Sequence, residues 1–374
     1  MKKQLLLAAA AFALAVPTAA QEAEPEGAPS PNQIVNAAPK EEWISIPAED
    51  LLIMTLSPDA NGESRTVTIQ LMPAPFSQGW VENIRTFARA KWYDNITVNR
   101  VQDNYVVQWG DPNYDNPEAE GETKALPEGL HAIPEDCYKT DFGNNKCTFT
   151  VPNVMDLLTT AEAAAADAEA SAISAGQALL DVYGNELPSI DIENTQTSTT
   201  KEGWHERDSY APWVEFYAGW PVAAEQANTD WKFWPVHCYG MVGVGRSYSP
   251  DTGSGAELYT VIGHAPRHLD RNIALVGRII SGMENLSSLP RGSGALGFYT
   301  EEEFDKRTPI LTVRVASDLP EDEQPLFEYL STDSETFAKY ADARANRRDP
   351  FFIAPAGGAD ICNIPVPVRP TPNG

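Results

Sequence analysis

Basic residues are scarce in this chain of 374 residues: 27 lysines and arginines stand against 53 aspartates and glutamates, for a formal net charge of −26. So acidic a chain disfavours partners that need a positively charged surface, such as nucleic acid or an anionic membrane. Histidine is also rare, with five residues, and none is spaced as a zinc ligand beside the four cysteines. We therefore expect no nucleic-acid partner, no metal and no cofactor.

Long apolar runs are also missing, apart from Leu5–Val16 near the start. That run has about a dozen residues, fewer than the roughly 20 that a membrane-spanning helix needs. It follows a short basic start and ends in the small residues of Pro17–Ala20, which is the arrangement of a secretory signal peptide cleaved after Ala20. A membrane anchor is the alternative. We expect residues 1–20 to be removed and the protein to be exported, to the periplasm in a Gram-negative source or otherwise secreted, with no transmembrane segment.

The segment after the predicted cleavage point, residues 21–40, is rich in Ala, Glu and Pro and has few large apolar side chains. Such a composition buries too little apolar surface to order the backbone, so we predict a disordered leader. About 330 residues remain, which is enough for one large domain or two modest ones.

The four cysteines are Cys137, Cys147, Cys238 and Cys362. An even number in an exported chain indicates two disulfides, although four cysteines allow three connectivities. Cys137 and Cys147 flank a turn-rich loop, which makes them the natural local pair. Cys238 and Cys362 would then tie the C-terminal tail to the core.

Short apolar stretches with turns between them predict a mainly β structure. In Arg65–Leu71 apolar and polar residues alternate, which is the period of a half-buried strand. In Trp80–Lys91 apolar residues recur every three or four positions, which predicts a helix with one apolar face. Further strands are predicted at Leu51–Leu56, Ile96–Val101, Tyr105–Trp109, Cys238–Val244, Leu258–Ile262, Asn272–Val276 and Thr308–Ala316. Many short strands with a few flanking helices suggest a closed or nearly closed β-barrel covered by helices.

Two long segments lie outside this pattern. Residues 114–237 form a predicted insertion with one Ala-rich helix, Val154–Val182, and five tryptophans that we expect to pack onto the core. Residues 317–374 form a predicted C-terminal extension with a helix at Glu335–Arg347. The barrel domain would therefore run from residue 41 to residue 316, interrupted by the insertion.

The segment Val98–Asp111 carries the most specific motif, Val-Asn-Arg followed by Tyr-Val-Val-Gln-Trp-Gly-Asp. It resembles the cyclophilin-type peptidyl-prolyl isomerases, in which a strand pair and a helix lead into Phe-His-Arg and then Phe-Met-x-Gln-Gly-Gly-Asp. The spacing from Arg100 to Gln108, and from there to Gly110-Asp111, is the same as in the family.

A second, more degenerate block of resemblance begins at Cys238. Gly240–Gly245 stands where the family has Ser-Met-Ala-Asn-Ala-Gly, and Glu257–Val261 stands where it has Gln-Phe-Phe-Ile. His268-Leu269-Asp270 stands for Trp-Leu-Asp. The two blocks, Asp50–Asn113 and Cys238–Ala316, cover less than half of the chain.

The resemblance implies a closed antiparallel β-barrel capped by helices, and it implies roles for single residues. Arg100 would be the catalytic residue, and Gln108 would hydrogen-bond the substrate backbone beside it. Glu257 replaces a glutamine that helps to hold the arginine, and a carboxylate there could pair with Arg100 directly. The other implied substrate-binding residues are Tyr105, Val106, Tyr259 and Leu269 in an apolar proline pocket, Val242 and Gly243 in the neighbouring wall, and His268 in place of a tryptophan.

Two functions fit these residues. The first is a peptidyl-prolyl cis-trans isomerase that accelerates Xaa-Pro isomerisation in exported proteins, with proline-containing polypeptides as its clients. The second is a catalytically weak peptide-binding or chaperone module of the cell envelope. The second is favoured by the replacements Asn99, Glu257, Gly243 and His268 and by the long insertion.

Overall fold

The computed structural model describes residues 27–113, 121–140, 147, 208–227 and 230–372. The strands in this part of the chain are β1 (Trp43–Ser45), β2 (Leu51–Leu56), β3 (Arg65–Leu71), β4 (Ile96–Val101), β5 (Val106–Gly110), β6 (Trp213–Tyr217), β7 (Trp220–Ala227), β8 (Asp230–Pro235), β9 (Met241–Val244), β10 (Leu258–Val261), β11 (Leu275–Ser281), β12 (Pro309–Val315), β13 (Phe327–Leu330) and β14 (Val368–Pro370). The α-helices are α1 (Pro31–Asn36), α2 (Gln78–Arg89), α3 (Glu284–Ser287) and α4 (Glu335–Ala345).

Eight of the strands form a closed antiparallel barrel in the order β10-β5-β4-β12-β2-β3-β11-β9, and β9 pairs with β10 to close it. The predicted alternation places Val67, Ile69 and Leu71 of β3 in the core. Helix α2 packs its apolar face, which includes Trp80 and Phe87, into the same core with no exposed area. The mainly β barrel with helical covers, expected from the pattern and the resemblance, is confirmed.

The starts of two predicted strands are wrong, and β9 begins at Met241 rather than at Cys238. The sequence pattern places a strand at Asn272–Val276, whereas β11 begins at Leu275 and continues to Ser281. The reason is the preceding turn, in which the backbone N–H groups of Asn272 and Ile273 both donate to the carbonyl oxygen of Leu269. Since those two N–H groups are used by the turn, Asn272 and Ile273 belong to the loop and not to the barrel.

The segment after residue 208 contains a second sheet, with the order β6-β7-β8, that the sequence pattern does not predict. Trp220 and Trp234 of this sheet are almost fully buried in the main core, so part of the tryptophan cluster packs as expected. Arg278 of β11 joins sheet and barrel: its guanidinium lies 4.4 Å from the Trp220 ring centroid and donates to Gln70 and to the carbonyl of Gly219. Burial lowers the pKa of Arg278 to about 10. The predicted helix Val154–Val182 lies outside the described residues.

Part of the leader that the sequence predicts to be disordered is helical. Helix α1 begins at Pro31, because the Ser30 hydroxyl accepts from the Gln33 backbone N–H while the Gln33 side chain accepts from the Ser30 N–H. Its residues Ile34 and Val35 then pack against a small second core. Composition alone misses this helix since the apolar partners that order it are distant in the sequence.

That second core lies between the two ends of the described chain. Strands β1, β13 and β14 form a three-stranded antiparallel sheet, with Trp43 paired to Leu330. Phe337 and Tyr340 of α4 complete the cluster under α1. The predicted domain boundaries at residues 41, 114, 237 and 316 remain predictions. Strands β13 and β14 and helix α4 of the C-terminal extension pack together with β1 and α1 of the N-terminal segment.

Both pairs of cysteines are joined as disulfides, Cys137 to Cys147 and Cys238 to Cys362. This is the pairing that the sequence favours among the three alternatives. In the described part of the chain, every helix is too short or too polar to cross a lipid bilayer.

Candidate active site

A β-bulge sets the direction of Arg100. Val98 pairs with Trp109, but the next pair is Arg100 with Gln108, so Asn99 is an extra residue on β4. An extra residue reverses the alternation of side chains along a strand. Val98 therefore points into the core with Trp109, while Arg100 lies on the outer face beside Gln108.

The bulge residue Asn99 is itself buried and hydrogen-bonded. Its Oδ1 accepts from the Thr97 hydroxyl at 2.5 Å, and its Nδ2 donates to the carbonyl of Gly110 at 3.2 Å. Since Gly110 ends β5, this side chain ties the bulge to the neighbouring strand. The residue that replaces the family's histidine thus stabilises the local backbone that aims Arg100.

The guanidinium of Arg100 is fixed from three sides. Its Nη1 donates to Gln108 Oε1 at 3.0 Å, its Nε donates to the carbonyl of Leu296 at 2.6 Å, and its Nη2 donates to Gln102. It also lies 5.6 Å from the Tyr105 ring centroid and 5.5 Å from that of Phe298. Burial lowers the pKa of Arg100, against the opposing effect of Tyr105 and Glu257.

Three of the five N–H donors of this guanidinium have partners in the described part of the protein. Two remain for a ligand. Arg100 is also half-buried, so a ligand can reach it.

Glu257 acts on Arg100 through Gln108. The Gln108 side chain accepts from Arg100 and donates from Nε2 to Glu257 Oε2 at 2.5 Å, so the amide lies between the two charges. Space for the Glu257 side chain is provided by two glycines: a Cβ on Gly110 would lie 3.0 Å, and one on Gly245 2.9 Å, from its aliphatic carbons. The direct Arg100–Glu257 pair considered from the sequence is replaced by this three-residue chain.

An apolar cluster lies on the same outer face of the barrel. Val106, Tyr259 and Val261 are its buried members. Tyr105, Leu269 and Ile273 are half-buried against them. The structure therefore brings together all four residues that the resemblance places in a proline pocket, and Tyr105 connects the pocket to Arg100.

The two residues that the resemblance places in the pocket wall, Val242 and Gly243, lie in different surroundings. Val242 belongs to the main core, so its side chain does not line the pocket. Gly243 lies opposite Tyr259 in the β9–β10 pair, and a Cβ there would be 2.3 Å from the Tyr259 hydroxyl oxygen. The Tyr259 ring thus lies across the Gly243 backbone. His268 is exposed at the rim and stacks against Tyr105 at 6.4 Å between centroids.

Comparisons with known proteins agree with this geometry. Residues 62–172 match the family model described as cyclophilin type peptidyl-prolyl cis-trans isomerase/CLD. The chain carries a cyclophilin-type isomerase domain. The match includes Arg100, Tyr105, Val106 and Gln108, whereas the site residues Glu257, Tyr259 and Leu269 lie outside it.

A solved structure shows the same fold. The cyclophilin AquaCyp293 from Hirschia baltica is 19% identical, with a TM-score of 0.53 over 89% of this chain and 97% of that chain. A cyclophilin type isomerase from Cryptosporidium parvum, crystallised in the presence of the dipeptide Ala-Pro, is 10% identical with a TM-score of 0.32, over 71% of this chain and 96% of its own. A search of the curated proteins found no match.

Several residues of this cyclophilin-type site were missed by sequence reasoning. Leu296 and Phe298 come from the loop before β12 and reach Arg100 from almost 200 positions away. His237 and Asp270 lie beneath Tyr259, and both are buried. Asp270 stands in the recognised His-Leu-Asp segment, whereas His237 belongs to no motif and only its proximity in the fold reveals it.

Proposed function

We propose that this protein accelerates cis-trans isomerisation of Xaa-Pro bonds in exported proteins, with Arg100 as the catalytic residue. The observation that carries the proposal is the position of Arg100, beside the apolar cluster and with two N–H groups left for a ligand. A pocket of Val106, Tyr259 and Leu269 suits a pyrrolidine ring, which is apolar and compact. Proline-containing polypeptides are therefore the proposed clients.

The chemistry requires no nucleophile and no proton transfer. The barrier to rotation of a peptide bond, about 18–20 kcal/mol, comes from amide resonance. In the twisted transition state the nitrogen lone pair is no longer delocalised and can accept a hydrogen bond. A guanidinium that donates to this nitrogen stabilises the transition state more than the flat ground state, and only such a difference accelerates the reaction.

The proposed role of Gln108 changes from the one that the resemblance implies. Its carbonyl oxygen accepts from Arg100 and its amide nitrogen donates to Glu257. Since both ends of the amide are engaged, we assign Gln108 to holding Arg100. Glu257 then supports Arg100 electrostatically, because its charge raises the pKa that burial lowers.

The direct test is an isomerisation assay on the mature protein with Arg100→Ala. We expect kcat/KM for an Ala-Pro peptide to fall roughly 100-fold, the effect of deleting one preorganised donor in other enzymes. Arg348→Ala is a matched control, since Arg348 is half exposed and pairs with Asp342 in the C-terminal helix region. Equal activity in the wild type and Arg100→Ala would refute the mechanism.

Export is a separate part of the proposal. It is supported by the arrangement of residues 1–20 and by the two disulfides, which form in oxidising compartments. Expression in a Gram-negative host followed by fractionation and mass spectrometry tests it. We expect a periplasmic protein that begins at Gln21; an intact Met1 or Lys2 terminus in the cytoplasmic fraction would refute it.

A peptide-binding or chaperone role with weak catalysis is the second candidate. One observation favours it: the backbone carbonyl of Leu296 already occupies the Arg100 Nε–H, and the Leu296 side chain is 65% exposed beside it. This candidate predicts suppression of client aggregation with negligible turnover. High turnover on short peptides would count against it.

A further inference from the structure

A chain of polar side chains lies beneath the proposed proline pocket. Tyr259 Oη is 2.9 Å from His237 Nε2, and His237 Nδ1 is 2.8 Å from Asp270 Oδ1. Asp270 Oδ2 in turn accepts a hydrogen bond of 2.6 Å from Arg267 Nε. We infer that His237 is a positioning residue of the isomerase site, which holds the Tyr259 ring as the rigid wall of the proline pocket and thereby sets its selectivity for the proline ring. This inference rests on the proposed function and deepens it.

The direction of the hydrogen bonds follows from the chemistry of the partners. A carboxylate can only accept, so in the neutral imidazole Nδ1 carries the proton and donates to Asp270. Nε2 is then an acceptor, and the Tyr259 hydroxyl donates to it. Burial raises the pKa of Tyr259 well above its ordinary value, so the hydroxyl keeps its proton.

Water does not compete for these bonds. His237 has no exposed area, and Tyr259 and Asp270 are each 4% exposed. The planes of the imidazole and the Tyr259 ring differ by 9° with 6.4 Å between the ring centroids, so the two rings lie edge to edge along this hydrogen bond. The hydrogen bond and the surrounding packing therefore hold the buried Tyr259 ring in place.

The same chain holds a second residue of the proposed pocket, Leu269. Asp270 directly follows Leu269, which packs against Tyr259 from the loop before β11. Besides His237 Nδ1, Asp270 accepts the His237 backbone N–H at 2.9 Å, and the Arg267 guanidinium continues to Asp208. His237 therefore sits where two walls of the pocket, Tyr259 and Leu269, are joined.

Selectivity follows from this rigidity. A fixed Tyr259 ring leaves no space for a substituent on the pyrrolidine ring, because adding even one methyl group to closely packed groups causes strain. Without His237 the Tyr259 ring gains freedom, so binding of proline weakens and discrimination against larger rings is reduced.

The test compares His237→Ala with His237→Gln and with Glu328→Gln. Glutamine keeps an acceptor for the Tyr259 hydroxyl. Glu328 is buried to the same extent as Asp270 and pairs with Arg369 on the β1-β13-β14 sheet, so its loss controls for general destabilisation. We would measure kcat and KM separately for an Ala-Pro peptide, and the ratio of kcat/KM between proline and cis-4-methylproline peptides.

For His237→Ala we expect KM to rise roughly tenfold, in keeping with a small displacement of a positioned group, and the proline preference to fall. His237→Gln should have a KM between those of the wild type and His237→Ala and should retain part of the proline preference. Glu328→Gln should keep the wild-type preference. Folded His237→Ala with wild-type KM and preference would overturn the inference. If His237→Ala does not fold, Tyr259→Phe, which removes only the hydroxyl, decides by the same preference: an unchanged value overturns the inference.

Calorimetric titration with the two peptides separates this inference from the proposed function. A wild type that binds proline peptide without turnover refutes catalysis, and the loss of binding preference in His237→Ala still supports positioning. A wild type that binds neither peptide overturns both proposals.

Discussion

Gly243 and Tyr259 face each other across β9 and β10, and the tyrosine ring covers the glycine so closely that a Cβ would lie 2.3 Å from the hydroxyl oxygen. The two residues that differ from the family pattern at these positions therefore fit each other. A larger residue at position 243 and a tyrosine at position 259 exclude one another in this arrangement.

This pair predicts that Gly243→Ala impairs the site without a change in chemistry. The new methyl group would push the Tyr259 ring away from its place, so we expect kcat/KM for an Ala-Pro peptide to fall roughly tenfold or more. Ala60→Ser is the control, because Ala60 is exposed in the turn between β2 and β3. The ring carbons Cζ and Cε1 would also lie only 2.4 and 2.7 Å from the new Cβ, so the whole ring has to move. A Gly243→Ala protein with wild-type kcat/KM would contradict the steric explanation.

The bulge at Asn99 predicts a joint effect on stability and activity. Asn99→Ala leaves the Gly110 carbonyl and the Thr97 hydroxyl without their buried partner, which costs about 1–3 kcal/mol of unfolding free energy. We also expect lower kcat, because Arg100 follows the bulge directly. Urea denaturation and the isomerisation assay measure the two effects. Thr55→Ala on the barrel strand β2 is a control that should leave kcat unchanged.

The Gln108–Glu257 bond predicts a graded series at position 257. Glu257→Gln keeps a partner for Gln108 but loses the charge near Arg100, so we expect a fall in kcat/KM of a few-fold. Glu257→Ala frees Gln108, and we expect a fall of roughly tenfold. The measurement is kcat/KM at constant pH for the three proteins. Equal activity in all three would show that Arg100 is held without this chain.

Glu303 predicts an acid dependence of the loop that holds Arg100. Its carboxylate accepts from Lys306 and from the backbone N–H groups of Ser293 and Thr300, and the Lys306 bond is the main cause that lowers its pKa to about 2. A lowered pKa in the folded state adds stability above the ordinary value of 4.5, and this stability is lost as the pH falls towards 2.

We therefore expect the wild type to lose more stability than Glu303→Gln between pH 5 and pH 2, measured by urea unfolding at several pH values. Above pH 5 the difference between the two proteins should be constant. A difference that is the same over the whole range would contradict the assigned role of Glu303.

The two disulfides predict unequal losses on removal. Cys238 and Cys362 are separated by 124 residues, whereas Cys137 and Cys147 are separated by 10. Because loop-closure entropy grows with loop length, removing the long-range bond should reduce the unfolding free energy by about 4–5 kcal/mol and removing the local one by about 3 kcal/mol. Urea denaturation of Cys362→Ser and Cys147→Ser tests this order. A larger loss for Cys147→Ser would contradict it.

Much of the barrel follows from local pattern. Alternation in Arg65–Leu71 and the helical period around Trp80 reflect burial on one face, and burial is what the sequence period records. Strands β6 to β8 were not predicted, because they are stabilised by pairing with one another and by the packing of Trp220 and Trp234 against the core. No period along the chain reveals them.

The candidate site divides in the same way. Arg100 and Gln108 can be predicted from the sequence because their spacing in the motif has no gaps. The bulge that turns Arg100 outward cannot be predicted from composition or from hydrophobic periodicity. His237 contacts Tyr259 and Asp270 across 22 and 33 positions, through side chains of different types. Such a contact depends on the path of the backbone, which a single sequence does not specify residue by residue.

The arrangement of the sheets also has a consequence for synthesis. Strand β12, at residues 309–315, supplies the pairing that joins β2 to β4, and β1 finds its partner only at residues 327–330. The barrel cannot close while the ribosome is still making its first 300 residues. Almost the whole chain must therefore exist before the barrel that carries Arg100 is complete.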